Sequence, residues 1–444
     1  MSAASLPPLG WLGILRLGLV QTSLGAIVVL TTAALNRVMV VEHALPAMLP
    51  GALVALHYAV QMLRPRLGHG SDQGGRRTPW IVGGMAVLAI GGVLAAAATA
   101  WMAEALVAGI ALAVLAFLLV GLGVGAAGTS LLVLLAARVA PARKPAAASI
   151  VWIMMIAGFV VTTAITGRLL DPYSPERLVG VTAAVSLIAF VVSLLAVAGV
   201  EGRRREPGTP RPAPTPFMVA LREVWAEPVA RHFTAFVFVS MLAYSAQDLI
   251  LEPFAGKVFG MTLGESTRLS SVQHGGVLAG MILIAVIGSL AKGGLQMLRG
   301  WIVGGCILAC AMLVTLAFAH SSPAAFPLRS AFFVLGVANG AFAAAAIAAM
   351  MQLVAGDRRG REGVRMGMFG AAQAVAFGLG GFLGTVILDV GRLAMGSVVG
   401  GYSVVFLADA MLFLAAALLA LRIGIATPRR RDGFGRAAPA ALGG

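Results

Sequence analysis

The chain has 444 residues, of which 59% are hydrophobic and only 11% charged, with a mean hydropathy of +0.95. That much apolar surface cannot be hidden in the core of a water-soluble domain, and the alternating segments of about ten residues that a closed barrel needs are not seen. The sequence therefore reads as an all-α membrane protein, and its net charge of +15 has to be read from where the charges lie.

Apolar runs fall at 15–37, 45–63, 79–101, 105–137, 148–169, 179–200, 232–254, 270–291, 301–319, 328–354, 365–388 and 401–422. Roughly 20 apolar residues suffice to cross a bilayer as a helix, so twelve transmembrane helices are expected. The first run has no small-residue cleavage pattern after it and leads straight into Asn36-Arg37, which marks a retained span. If the N-terminus is inside, only Arg37, Arg168, Arg177, Lys257, Arg268, Arg329 and Arg392 of the 32 Lys and Arg residues lie outside. Such asymmetry is the positive-inside pattern and places both termini in the cytoplasm. It argues for contact with membrane lipids and against a nucleic-acid partner.

Within the second run His57 lies about 11 residues in, near mid-membrane, whereas His43, His69, His232, His274 and His320 are expected near the surfaces. Between the second and third runs stands "RLGHGSDQGGRRTPW" (66–80). Glycines permit a tight turn there, Asp72 can face a helix N-terminus or an arginine, and the arginines hold the loop on an anionic leaflet. The stretch resembles the loop signature of the major facilitator superfamily, matched by Gly68, Asp72, Gly75, Arg76 and Arg77, with Gln73 where a basic residue is usual. The resemblance implies an inner gate latch. The corresponding loop of the second half, "LAKGGLQMLRGW" (290–301), keeps only glycines and two basic residues.

Residues 201–231 are rich in charge and proline, the composition of a semi-rigid linker. They divide the chain into an N-terminal six-helix bundle (1–200), a cytoplasmic linker (201–231), a C-terminal six-helix bundle (232–422) and a basic cytoplasmic tail (423–444) expected to be disordered. Six plus six is the layout of the major facilitator fold, two pseudo-symmetric halves about a central site. Glycine clusters at 120–128 and 378–384 are expected to let helices approach closely.

In the seventh run Asp248 and Glu252 are four residues apart and share a helix face. Ionisable residues inside a span are functional candidates. Counting about 1.5 Å per residue puts them in the outer half, at the height of Arg37, so an outer charged cluster of Arg37 with Asp248 or Glu252 is expected. Pro253 should end or kink the helix. Gln21, Gln61, Gln247, Gln273, Gln352 and Gln373 are candidate cavity-lining donors, and Asp409 in the last run is an isolated carboxylate able to accept a hydrogen bond or carry a coupling proton. Cys306 and Cys310, at i and i+4 in one apolar run, read as structural. No nucleophile, base and orienter set, phosphate loop or metal-ligand spacing is present, so an enzyme is not expected.

Two stretches, "RLGLVQTSLGAIVVLTTAALNRVMVVE" (16–42) and "MLAYSAQDLILEPFAGKVFGMTLGEST" (241–267), resemble the PucC-like family of major facilitator proteins, through "LNRVM" and "QDLILEPFAG" above all. The resemblance runs along essentially the whole chain. It implies a factor that assembles photosynthetic light-harvesting antenna complexes in a bacterial inner (intracytoplasmic) membrane, with bacteriochlorophyll as a transient ligand and antenna polypeptides, bacteriochlorophyll synthase and the protein-insertion machinery as partners. Under it, His57 becomes a candidate magnesium ligand, with a helix-to-helix hydrogen bond the other reading of that residue. A secondary transporter of a small organic solute, or a scaffold without pigment, are the alternatives.

Overall fold

The computed structural model describes residues 8–63, 76–140, 143–201, 222, 225–290, 294–355 and 362–422. Gly68, Asp72 and Gly75 of the loop signature, most of the linker and the whole of the tail at 423–444 lie outside the described residues.

Among the described residues, twelve helices of 14 residues or more follow one another: α1 (Trp11–Glu42), α2 (Met48–Gln61), α3 (Thr78–Trp101), α4 (Leu106–Arg138), α5 (Lys144–Leu169), α6 (Pro175–Val197), α7 (Pro228–Phe259), α8 (Leu263–Leu290), α9 (Leu295–Ala317), α10 (Leu328–Ala355), α11 (Glu362–Met395) and α12 (Val398–Leu421). There is no strand among the described residues. Eleven of the helices are long and apolar enough to cross a bilayer, and α2, with 14 described residues, is shorter. An even number of crossings returns the chain to the face where it started. We call that face, carrying Trp11 and Leu421, the near face and the opposite one the far face.

Helix starts follow ordinary chemistry. Prolines open α3, α5, α6 and α7 within their first two positions, where a missing N–H costs nothing. Ser174 caps α6 by accepting from the Arg177 N–H at 3.1 Å, and Ser397 caps α12 by accepting from Gly400 at 3.2 Å. At the near face Glu201 accepts from the N–H groups of Arg77 and Thr78, the latter at 2.8 Å, while its carbonyl receives Arg138 at 2.9 Å. Glu201, four residues beyond the end of α6, thus ties down the first turn of α3 and the last of α4. Burial works to raise the Glu201 carboxyl, but hydrogen bonds from Thr78 and Arg77 and the Arg76 charge outweigh it and hold the group below its ordinary range.

Apolar packing gives each half its own core. Of two clusters in the N-terminal half one takes in Leu249 and Leu263 from the other half, the large C-terminal cluster takes in Val40 and Ala47, and a smaller seam of Ile156, Val277 and Met281 joins α5 to α8 across the halves. The glycine clusters serve close approach. A Cβ on Gly123 would come within 2.6 Å of the Leu88 nitrogen of α3, and one on Gly380 of α11 would run into the Leu242 carbonyl of α7. With no hydrophobic drive between helices in lipid, such contacts set the packing.

Candidate functional site

The first helices of the two halves, α1 and α7, both span 32 residues and both lose regularity towards the far face. Helix α1 widens into π turns at Leu30–Ala34 and Val38–Glu42, on either side of Asn36 and Arg37. Such π turns are concentrated at functional sites. Helix α7 is interrupted after Asp248 and resumes at Leu251. Pro253 explains the break: it has no N–H to give the Leu249 carbonyl four residues back. The buried Asn36 Nδ2 supplies that donor instead, at 2.5 Å. The two most distinctive strings of the sequence, one holding Asn36 and the other Pro253, therefore meet in a single hydrogen bond between the halves.

Arg37 is 2% exposed, among the largest fully buried side chains. It makes an ion pair with Glu42 on its own helix and donates to the Met261 carbonyl beyond α7 at 2.7 Å. The expected pairing with Asp248 or Glu252 is replaced by this arrangement, because the π turns bring Glu42 back over Arg37. The guanidinium still lies against α7: a Cβ on Gly256 would sit 3.1 Å from its Nη2. Glu252, one turn earlier and 2% exposed, interacts electrostatically with both Arg37 and Asp248. One Glu252 oxygen accepts from the Ser270 hydroxyl of α8; its Oε2 and the Arg37 Nε are buried with no protein partner. The break also means that Asp248 and Glu252 do not share one continuous helix face.

His274 completes the group and corrects the sequence reading. Helix α8 starts at Leu263, not at 270, so His274 lies eleven residues inside it, about 17 Å from its start. It is 3% exposed, its Nδ1 is 2.8 Å from the Ser270 carbonyl, the Phe159 ring of α5 meets it edge-on at 5.1 Å, and it faces Asp248 electrostatically. The missed start carried a signal: Thr262 and Glu265 form a reciprocal capping box, with the Thr262 N–H donating to Glu265 at 2.9 Å and the Glu265 N–H to the Thr262 hydroxyl at 3.2 Å. Asp248, Asn339 and Asp409 stand at a matching depth, eleven residues from the far-face ends of α7, α10 and α12.

Other candidates separate. His57, 2% exposed on α2, has its Nε2 2.8 Å from the Gln61 amide and its ring edge-on to Tyr58 at 4.8 Å. Gln21 donates to the Met155 sulfur at 3.2 Å. Gln247 and Asp409 are buried with no protein partner for either polar atom. Arg76 is exposed at the start of α3, and Arg77 is joined to Glu201 through its backbone.

Hydrogen bonds between the halves gather towards the far face. Asp171, in the turn after α5, accepts from the Gly264 N–H and the Thr262 hydroxyl, both at 2.9 Å, with Arg268 at 3.8 Å. Asp389 of α11 accepts from the Met48 N–H at the start of α2 at 2.8 Å. Neither aspartate stood out in the sequence, where both look like ordinary helix-end residues. Tyr173, next to the Asp171 clasp, has its hydroxyl pushed up by burial and then by the charges of Glu42 and Glu176.

The family model described as PUCC protein matches residues 34–427, beginning just before Asn36. The chain belongs to this family. A Rhodobacter capsulatus protein named bacteriochlorophyll synthase 44.5 kDa chain is 52% identical over 415 residues, covering 93% of this chain and 95% of that one. Protein PucC of Rhodobacter capsulatus is 29% identical over 436 residues, covering 92% and 91%. Among solved structures, a bacterial homologue of the human lysosomal transporter Spinster, inward-facing and unoccupied, superposes with a TM-score of 0.69 at 15% identity, over 92% of this chain and 95% of that one. A peptide transporter of the POT type gives 0.69 at 15% identity, over 95% and 98%. At that identity the likeness concerns the fold alone, and the fold of this PUCC-family member is the major facilitator fold.

Proposed function

We propose that this protein is an assembly factor for photosynthetic light-harvesting antenna complexes. It resides in the intracytoplasmic photosynthetic membrane with both termini in the cytoplasm. It holds bacteriochlorophyll transiently and passes it to antenna polypeptides, working beside bacteriochlorophyll synthase and the protein-insertion machinery. Its part is to hold and hand over pigment, not to catalyse a bond change. The observation that carries this reading is the full-length similarity to the relative named bacteriochlorophyll synthase 44.5 kDa chain. For His57 to bind the pigment magnesium, its Nε2 must give up its contact with the Gln61 amide.

The test is complementation: the chain is expressed in a Rhodobacter capsulatus strain lacking the 52% relative. Restored near-infrared antenna absorbance is the expected outcome, and antenna levels unchanged from the deletion strain, with the protein present in the membrane, would count against the proposal. A second reading, secondary transport of a small organic solute, is favoured by the acid and imidazole groups inside the bundle. Gradient-driven uptake into proteoliposomes would put it first.

A further inference from the structure

At the far face a small hollow lies between the α1–α2 turn and the ends of α7, α11 and α12. Its cavity is about 70 Å³, lined among others by Ala44 and Ala47 of the turn, Lys257 of α7, Asp389 and Arg392 of α11, and Tyr402 of α12. We propose that this hollow is a binding site for a phosphate group, held by Arg392, Lys257 and the Tyr402 hydroxyl. The site is independent of any pigment-binding role.

Three features point to it. The first is Tyr402, whose side chain is 2% exposed and whose ring packs on that of Phe254, with centroids 5.3 Å apart. Its hydroxyl nevertheless hydrogen-bonds to no described residue, and Tyr402 belongs to the lining of the hollow. A buried hydroxyl without a partner is costly, and the hollow is where an acceptor can reach it. The second feature is charge. The Arg392 side chain makes no ion pair and no hydrogen bond with any described residue, and Lys257 reaches only the Val41 carbonyl, at 3.4 Å. Asp389, the one carboxylate of the lining, already accepts from the Met48 N–H at 2.8 Å. Two cations thus stand against one engaged carboxylate, and the hollow is net positive. The third feature is size. At roughly 10–15 Å³ for each water-sized position, the cavity takes about five such atoms, as many as a phosphate group has besides hydrogen.

Each cation taken alone has an ordinary explanation. Lys257 stands in the last turn of α7 and Arg392 in the last turn of α11, where a positive charge meets the helix dipole. That explains a cation at each helix end, but not a buried phenol directed at the same hollow. A phosphate explains all three groups, because its oxygens can accept from a guanidinium, an ammonium and a hydroxyl together, and charge-assisted bonds of this kind are the strong ones. The walls come from both halves, so an occupied hollow also holds the α1–α2 turn against α11 and α12. The two cations stand at helix ends, the level of bilayer headgroups, so a lipid and the solution are the two sources of phosphate.

The experiment is thermal unfolding of the full chain, delipidated in an uncharged detergent. Two probes are titrated separately at constant ionic strength: inorganic phosphate against chloride, and dihexanoyl phosphatidylglycerol below its micelle concentration against dihexanoylglycerol. A ligand that binds only the folded protein raises the midpoint in a saturable way. The expected result is such a rise. A rise with inorganic phosphate supports the site with the free anion as sufficient ligand, and a rise with the phospholipid alone supports it with a headgroup as ligand. Arg392→Gln should abolish the rise. Tyr402→Phe, which keeps the buried ring, and Lys257→Gln, at an exposed position, should each move half-saturation several-fold higher. No saturable rise with either probe, or a half-saturation that Arg392→Gln and Lys257→Gln leave unchanged, would overturn the proposal.

Discussion

Asn36 and Pro253 show how two residues in different halves come to depend on each other. Pro253 withholds a donor from the Leu249 carbonyl and Asn36 returns one. Leaving a buried acceptor without a partner costs about 1–3 kcal/mol, so Asn36→Ala should destabilise the protein by that amount. In a Pro253→Ala background, where the backbone N–H is restored, the same substitution should cost clearly less. Unfolding curves of the four proteins in one detergent give the coupling directly, and additive effects would show that the two residues act separately. Much of this was legible in the sequence: the depth of Arg37, Asp248 and Glu252 follows from counting along helices, and Pro253 announces a disruption. The actual partner of Arg37 was not, because a π turn adds a residue to the helical repeat and no periodicity in the sequence signals it. His274 was hidden by the polar residues Glu265, Ser266 and Thr267, which disguise the first turn of α8 as loop.

Among the elements, α5 and α8 close the far face through Asp171 and Gly264. A side chain on Gly264 would collide with the Gly167 carbonyl and the Asp171 carboxylate, so Gly264→Val should separate the two helices there. Ser266 is fully buried in the parent, and a Ser266→Cys reporter, in a background with both native cysteines replaced, should react with a water-soluble maleimide several-fold faster once Gly264 is valine. An unchanged rate would mean that the contact does not control closure. At the near face Glu201 organises α3 and α4. Because its carboxyl is held below the ordinary range, about 4.3 for glutamate, its stabilising effect is full above that range and is lost as pH falls through the lowered native value. Thermal stability of the parent should therefore exceed that of Glu201→Gln near neutrality, and the two should converge in acid. The helices themselves were readable from hydropathy, and ten of the twelve begin within a few residues of expectation. The exceptions, α8 and α9, carry polar and charged residues in their first turns, Glu265 to Arg268 in one and Gln296 and Arg299 in the other, which hydropathy counts as loop.

Across the whole molecule, two six-helix halves meet through buried polar groups towards the far face and through apolar contacts such as the seam of Ile156, Val277 and Met281. Composition, run lengths and the six-plus-six division were enough to reach the fold, since in lipid a chain of this kind has few other ways to satisfy its backbone. Which helices touch across the halves was beyond the sequence, because it depends on glycine contacts between residues more than 90 positions apart. Under the proposed function, pigment is held in the interior of this bundle during antenna assembly. The measurement that tests this most directly is an absorption spectrum of the detergent-purified protein from a bacteriochlorophyll-producing host without antenna polypeptides. A near-infrared band that stays with the protein through size exclusion, and weakens in His57→Ala, is the predicted result. A protein that is folded, monodisperse and colourless in the near infrared would contradict it.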